Sequence, residues 1–327
     1  MANSTAGKPQ EREFEELVDP YRRELMAHCY RMVGSVHDAE DLVQETYLRA
    51  WRSYGGFEGR SSLRTWLYRI ATNACLTAIE QRGTRPMPTG LGGPSEEPER
   101  PVVAAPEVPW LEPAPDGLLG ADPADPASIV AARESTRLAF VAALQHLPAR
   151  QRVTLILRDV LKWRAAEVAE LFGISTAAVN SALQRARAQL EETVPERDNL
   201  VEPTDPGQRY LLERYAKAFE EADIEGLLEL FKEDAVWEMP PFPQWFRGPG
   251  HIARLMKAQC GQRPALFRLL PTGANGQPAY AAYRQGDDGV YRPFQLQVLD
   301  VTRGGIQHAS VFFDTRLFAS FGLPETA

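Results

Sequence analysis

The sequence predicts a multidomain chain in which two all-α domains, a helical bundle and a helix-turn-helix, precede an α+β domain. Three observations carry this. Apolar residues recur at three- and four-residue steps through residues 11–83 and again through 128–194, the spacing that lays one helical stripe against a core. Between these stretches, residues 84–127 shift to Pro, Gly, Ala and acid with little periodicity, which reads as a linker. From residue 205 onward a helical period gives way to the period-two alternation of strands. A length of 327 residues is too great for one ordinary core and agrees with two or three domains.

In the first domain the residues before Glu11 are polar and expected to fray, and Phe14, Leu17, Val18, Tyr21, Leu25, Cys29 and Val33 form a helical stripe ending at Gly34. The next stripe is Ala39, Leu42, Val43, Tyr47, Ala50 and Trp51, which leaves Asp41, Gln44, Glu45 and Arg49 largely off it. Asp38 follows Gly34 and Ser35 and is expected to cap this helix, with Asp41 adding favourable charge at the positive end of the dipole. After a polar loop through Phe57, Gly59, Arg60, Ser61 and Ser62, a third stripe starts with Leu63, Trp66, Leu67, Ile70 and Ala71, displaying Arg64, Arg69, Asn73 and Thr77 elsewhere. Taken alone, the polar face is a solvated surface and Trp66 fits a core as readily as a stacking platform. Asn73 is mildly unfavourable inside a helix and wants a reason to be there.

Within the linker, the segment VPWLEPAPDGLL, residues 108–119, carries Trp110, Leu111, Leu118 and Leu119, which are costly to leave in water, so this island is expected to dock on the rest of the protein. Helical patterning resumes near Ser128, and Pro148 marks a helix boundary after Leu147. Val168, Ala169, Leu171 and Phe172 then end a helix at Gly173, whose missing side chain suits a left-handed turn. Ser175 or Thr176 can cap the following AAVNSALQRARAQL, and Ala169, Gly173 and Val179 match the helix-turn-helix spacing.

The segments DLVQETYLRAW and TWLYRIATNACL, in this order and ahead of a helix-turn-helix, resemble the polymerase-gripping and minus-ten-opening parts of extracytoplasmic-function (ECF) sigma factors. The resemblance implies two sigma domains, at 11–83 and 128–194, and a function in recruiting core RNA polymerase to promoters. It implies that Asp41, Gln44, Glu45 and Arg49 bind polymerase, and that Arg60, Ser61, Trp66, Arg69 and Asn73 face the single-stranded minus-ten element. On the second domain it implies that Ser175, Thr176, Asn180, Ser181, Gln184 and Arg185 meet the double-stranded minus-thirty-five element while Arg187 clamps its backbone. The sequence departs from many members where Asn180 and Ala182 stand at positions often held by Arg or Lys. The Trp- and Pro-containing linker is similar to that of ECF groups with an extra C-terminal domain.

Residues 205–327 supply such a domain. Tyr210, Leu211, Tyr215, Phe219, Leu227, Leu228 and Phe231 are helical in period, whereas GVYRPFQLQVLDVT and GIQHASVFFD alternate as strands around a turn at Arg303 to Gly305. With WFRGPGHIARLM and VFFDTRLFASFGLP, this stretch resembles the SnoaL-like cone, a curved sheet closed by helices. The fold implies a pocket lined by Trp237, Trp245, His308 and Phe312 that can take a small molecule, and in some members a catalytic carboxylate or His. Glu238, Arg247, His251 and Asp314 are the remaining polar candidates, and Trp237, Trp245, Phe294 and Phe312 read equally as core. No paired acid and base, metal cluster or nucleophile elbow stands out, so no catalytic residue, metal or cofactor is expected.

Charge and cysteines narrow the setting. The net charge of -8, from 36 basic and 44 acidic residues, is unusual for a protein that binds DNA unaided and fits recognition that depends on a partner. The three cysteines, Cys29, Cys75 and Cys260, have neither disulfide-framework nor zinc-site spacing. No apolar run approaches the roughly 20 residues that cross a bilayer, and MANSTAGKPQ lacks the order of a signal peptide. No membrane association and a cytoplasmic location are therefore expected. Two other readings stay open: a ligand-responsive helix-turn-helix regulator acting without polymerase, and a SnoaL-like enzyme with a DNA-binding appendage. An anti-sigma partner is not readable from these residues.

Overall fold

The computed structural model describes residues 9–119, 135–193, 206–259 and 263–327. Cys260, residues 120–134 and the hinge at 194–205 lie outside the described residues. The chain divides into two compact units. Within the described residues, the first takes in 9–84, 117–119, 135–136 and 143–193, and the second 85–116, 137–142, 206–259 and 263–327.

The first unit opens with α1 (Pro9–Val18) and α2 (Arg22–Val33). The single stripe expected up to Gly34 is interrupted by a 3-10 turn over Asp19–Tyr21. Pro20 in this turn offers no amide to an α-helical ladder, which is a physical reason for the break. The Tyr47 hydroxyl fastens the end of α1 by donating to the Val18 carbonyl at 3.1 Å. Gly34 ends α2 at φ 69°, its N–H bonded to the Tyr30 carbonyl at 2.8 Å.

Helix α3 (Val36–Ser53) begins earlier than expected. Its cap is Ser35, extended at φ -137°, whose hydroxyl accepts the Asp38 amide at 3.1 Å. Asp38 is thus the third helical residue, where its charge still favours the helix start. Helix α4 (Leu63–Arg82) is capped in the same way by Ser62, which accepts the Thr65 amide at 3.1 Å. Leu25, Cys29, Met32, Val36, Ala39, Val43, Ala50, Leu67, Tyr68, Ala71 and Cys75 are buried where α2, α3 and α4 pack. Helix α4 turns Tyr68, Thr72 and Cys75 inward, so its buried face is rotated from the expected one and Trp66 is only half-buried.

A one-turn helix α5 (Asp116–Leu119) and α6 (Leu138–Gln145) lead to α7 (Ala149–Leu155), a π-turn over Ile156–Val160, α8 (Ala165–Phe172) and α9 (Thr176–Thr193). Gly173 joins the last two at φ 63°, the left-handed turn its position predicted. Val168, Val179, Leu183 and Ala186 close the helix-turn-helix core.

The second unit is built on one mixed sheet. Helices α10 (Pro206–Glu220) and α11 (Ile224–Leu228) precede β1 (Phe231–Met239) and β2 (Phe242–Arg247). Helix α12 (Pro249–Gln259) then leads to β3 (Phe267–Ala274), β4 (Gln277–Gln285), β5 (Tyr291–Thr302), β6 (Gly305–Phe312) and α13 (Leu317–Ser320). The strand order is β2-β1-β6-β5-β4-β3, with β1 and β6 parallel and the other neighbours antiparallel. The β5–β6 hairpin turns through Arg303 and Gly304 between paired Thr302 and Gly305. A side chain at Gly305 would stand 2.6 Å from the Leu230 carbonyl, so only glycine fits there.

Residues 85–116 depart from the linker expectation for 84–127, because they run as an ordered strap over the sheet. The amides of Ser95 and Ala105 donate to the carbonyls of Trp245 and Pro241 at 2.7 and 2.8 Å, along edge strand β2. At the other edge Ala114 exchanges two 2.9 Å bonds with Asn275. Trp110 and Leu111 are buried on this unit, so the first part of the apolar island docks here, while Leu119, also buried, belongs to the first unit. Composition alone undervalues such a strap: it need not build a core when a sheet edge supplies partners for its backbone.

Candidate nucleic-acid interface

Helix α3 buries Val36, Ala39, Val43, Thr46 and Ala50, and this fixes what it shows. Asp41, Gln44 and Arg49 are exposed and Glu45 is half-buried, its carboxylate 2.7 Å from the Arg49 guanidinium one turn on. Leu48 sits between them and is 51% exposed. The sequence reading missed it, although its steps of four from Gln44 and seven from Asp41 place it on the polar face rather than the buried one. The result is an acidic, amide-bearing face with an apolar centre.

The second cluster is the loop before α4 and one side of that helix. Arg60 is exposed and paired with Glu58 at 2.5 Å, Gly59 turns at φ 68°, and Ser61 is half-buried. On α4, Trp66, Arg69 and Asn73 stand at steps of three and four and share a face. Trp66 lies 4.8 Å from Phe57 and 6.5 Å from Tyr54, ring centre to ring centre, and Tyr54 continues to Phe14 at 5.1 Å. This aromatic shelf joins packing to display, so the alternatives of core and platform for Trp66 are not exclusive. Asn73 is exposed, and Arg69 pairs with Glu170 at 3.1 Å. Arg64 instead is held by Glu24 at 2.6 Å and lies over the Tyr68 ring.

In the helix-turn-helix, the Ser175 hydroxyl accepts the Ala178 amide at 3.2 Å, which makes Ser175 the cap and Thr176 the first residue of α9. Inward Val179, Leu183 and Ala186 leave Ser175, Thr176, Asn180, Ser181, Gln184, Arg185 and Arg187 exposed. Arg185 donates to the Ser181 hydroxyl at 2.8 Å. Arg187 is engaged in a fork with Asp159 at 2.6 and 2.8 Å, bracing α9 against the π-turn. The pair is solvent-exposed, so the guanidinium stands on the surface beside the residues the sequence reading gave to DNA.

The four residues expected to line the cone pocket are not brought together. Trp237 pairs with Ala309 and Phe246, and all three belong to the apolar core under the helices. One residue on, Glu238 pairs with Trp245 and Ser310, so this row faces the other side of the sheet, where His308 and Phe312 also fall by alternation. Tyr215, Phe231, Trp237 and Tyr280 fill the inner side with ring contacts of 5.8 to 6.4 Å. A shallow apolar hollow lies by Phe219, Ile224, Leu227, Met256 and Phe267, away from Trp237, and Asp223 at its rim caps α11 through Gly226.

On the outer side Glu238 is fully enclosed. Its carboxylate accepts from His308 at 2.7 Å, Ser310 at 3.1 Å and the strap amide of Thr89 at 3.2 Å. Burial pushes the Glu238 carboxyl up, but the His308 charge and the donated hydrogen bonds outweigh it and hold the group below its ordinary value. Burial pushes His308 down, yet Glu238 and then Asp300 carry it above the usual histidine value. Asp300 is bound by Arg137 at 2.6 Å and Gln277 at 2.9 Å. Asp314 is gripped by Arg316, Arg247 lies over the Trp245 ring, and His251 pairs with Glu96 of the strap. These polar groups stitch the fold. Among the described residues no His, Cys, Asp and Glu group could hold a metal, and no helix is long and apolar enough to cross a membrane.

Comparison with known proteins agrees with this division. Sigma-70 region 2 matches residues 17–85, Sigma-70 region 4 residues 137–190, and the SnoaL-like domain residues 212–304. ECF RNA polymerase sigma factor SigG of Mycobacterium tuberculosis is 57% identical over 316 residues, spanning 96% of this chain and 85% of that protein. SigJ of the same species is 30% identical over 303 residues, 89% of this chain and 86% of that one. The crystal structure of the M. tuberculosis SigJ has the same fold, with a TM-score of 0.62 at 23% identity over 94% of this chain and 99% of that one. With such identity along nearly its whole length, the chain belongs to the ECF RNA polymerase sigma factors and carries a SnoaL-like domain behind region 4.

Proposed function

We propose a division of labour among the three exposed faces of an ECF sigma factor that binds core RNA polymerase and directs promoter-specific initiation. Asp41, Gln44, Glu45 and Leu48 of α3 grip polymerase, with Arg49 holding Glu45 in place. Arg60, Ser61, Trp66, Arg69 and Asn73 receive the opened minus-ten strand, and the start of α9 enters the major groove of the minus-thirty-five element. The observation that carries this is the display of Trp66, Arg69 and Asn73 on one face of α4 beside the Tyr54 and Phe57 rings. Stacking on an aromatic platform contributes about 1–3 kcal/mol per base. That offsets the few kcal/mol that unstacking a base costs. The net charge of -8 leaves most nonspecific DNA attraction to polymerase.

The SnoaL-like domain acts in cis by holding the connector between regions 2 and 4. Thr89 on Glu238, Trp110 and Leu111 in the buried layer, and Ala114 on Asn275 support this reading. Covalent chemistry has less support: Glu238 is sealed by three donors and Asp314 is tied to Arg316. A small-molecule ligand of the cone has less support at Trp237, because the rings of Phe231, Tyr215 and Tyr280 pack the inner side there.

Run-off transcription with core polymerase tests both parts. The full chain is expected to give promoter-selective transcripts, and replacing Trp110 and Leu111 by Ser to change their amount while the protein stays folded. Tight promoter binding by the protein alone, without polymerase-dependent transcripts, counts against the assignment of the faces. Unchanged transcript levels from the double variant count against control through the connector.

A further inference from the structure

We propose that the Asn275–Gly276 turn is a latent modification site, guarded by the strap end from Ala114 to Asp116. Once the strap lifts, Asn275 loses its side-chain amide and becomes an aspartyl or isoaspartyl residue that no longer receives the strap well. The proposal rests on the docking of the strap along the sheet and not on the assignment of the promoter faces.

The turn supplies a reactive pair. Asn275 and Gly276 make the two-residue connection between β3 and β4, with Ala274 paired to Gln277 beside them. Their φ angles are 58° and 70°, the left-handed pair that a tight hairpin demands and that Asn-Gly meets readily. The same dipeptide is chemically weak, because glycine places no side chain in the way of its own nitrogen. In the reaction the Gly276 amide nitrogen gives its proton to hydroxide and attacks Asn275 Cγ. The new N–Cγ bond closes a succinimide ring, and the Asn275 side-chain nitrogen leaves as ammonia. Water then opens the ring at either carbonyl, giving Asp or isoAsp, and nothing is oxidised or reduced.

The docked strap opposes each part of that step. The Gly276 N–H, whose proton must be lost, donates to the Asp116 carboxylate at 2.6 Å. A carboxylate at this place also disfavours the anion that attacks. The Asn275 side-chain oxygen accepts the Ala114 amide at 2.9 Å, and the Asn275 N–H donates to the Ala114 carbonyl at 2.9 Å, so the residue is held on both sides. Pro115 bridges to Ala274, and Asn275 is fully buried. The strand leaves room for the guard: a β-carbon on Gly273 would stand 2.3 Å from the Asp116 carboxylate. The hairpin does not need these contacts for its shape, since β3 and β4 are paired from Phe267 through Ala274.

With the strap lifted, the Gly276 N–H and the Asn275 side chain turn to water, and the turn is free to reach the geometry of attack. The product then alters the dock. An Asp carboxylate enters a fully enclosed position on the turn that already carries the Asp116 carboxylate, where desolvation and like charge both work against it. An isoAsp lengthens the main chain of the turn and shifts the register that presents Ala274 to Pro115. Lifting is thereby recorded in the covalent chain.

The test follows Asn275 in the full chain, incubated at mildly alkaline pH in heavy-oxygen water, by mass spectrometry of the tryptic peptide 269–284. The free peptide of that sequence gives the unguarded rate, and the intact protein is expected to react far more slowly. Asp116→Ala, at an exposed position, should react about tenfold faster than wild type, because chemistry in an opened form follows its population. Asp116→Asn keeps an acceptor for the Gly276 N–H and should return most of the protection. Replacing Trp110 and Leu111 by Ser loosens the strap as a whole and should also speed the reaction. Faster reaction with unchanged transcripts in that double variant leaves the proposal standing and removes control through the connector. Labelled isoAsp should accompany Asp, since ring opening yields both. Asn275→Asp should raise amide hydrogen exchange over residues 105–116 about tenfold. The proposal is overturned if wild type reacts as fast as the peptide, if neither strap variant outpaces wild type, or if Asn275→Asp leaves exchange over the strap unchanged.

Discussion

The exposed polar residues of α3, α4 and α9 and the buried polar residues of the two units obey opposite rules. Asp41, Gln44, Asn73, Asn180 and Gln184 point into solvent and are replaceable as far as folding is concerned. His28, Arg31, Arg152 and Glu238 are enclosed, and each is answered by particular protein atoms. Polarity on a surface is available for partners, whereas most of these buried groups are already engaged within the protein, although His28 Nδ1 and Arg152 Nε have no hydrogen-bond partner. Glu238, one of several polar candidates in the sequence, belongs to the second kind, its carboxylate held by His308, Ser310 and Thr89.

The largest effect should come from breaking an interior group. Glu238→Ala strips His308, Ser310 and the Thr89 amide of their shared acceptor, and such removals from buried pairs cost about 3–5 kcal/mol. Denaturant unfolding of the full chain should show that loss in the transition of the second unit. The pH dependence follows from the two shifts. Glu238 is lowered, so its contribution is present above the ordinary carboxylate value and fades as pH falls through the lowered one. His308 is raised, so its contribution is present below 6.5 and fades as pH rises past the raised value. The gap between wild type and variant should therefore be widest in mildly acidic to neutral solution.

Next in size is His28. It is buried, bonded to Thr72 at 2.9 Å, and lowered from 6.5 to about 3 by burial first and Arg31 second. Below 6.5 the unfolded chain takes up a proton that the folded chain refuses, so stability falls as pH drops toward 3, by about 1.4 kcal/mol per unit. Thermal or urea unfolding of the first unit between pH 7 and 5 should show this slope, and His28→Phe should flatten it. An unchanged slope in that variant would put the acid sensitivity elsewhere.

Exposed residues should behave in reverse. Leu48→Ala and Asp41→Ala are expected to leave unfolding within about 0.5 kcal/mol of wild type. Yet each should weaken capture of core polymerase about tenfold, a loss of ~1.4 kcal/mol. Binding titration against polymerase measures it, and equal affinity would remove α3 from the polymerase contact.

How much of this was legible varied with the physics of each feature. Helical stripes, the Gly173 turn and the hairpin at Arg303 depend on local spacing and backbone freedom, which a sequence displays directly. The cap of α3 did not, because Ser35 and Asp38 are both competent and only the extended backbone at Ser35 decides between them. Alternation does put neighbours Trp237 and Glu238 on opposite faces. Which of those faces His308 shares depends on the parallel register of β1 with β6, set by contacts seventy residues apart. The strap was hidden for a related reason, since its partners are backbone groups of a distant edge strand.

That strap has a consequence for anyone who isolates the C-terminal domain. With residues 85–116 in place, the carbonyls of Trp245 in β2 and of Pro241 just before it are engaged. Cut away from its connector, the domain would present this strand as an open template for a second copy of itself. The connector thus covers an edge that the isolated domain would expose, and the domain is expected to stay monomeric when purified with it and to self-associate without it.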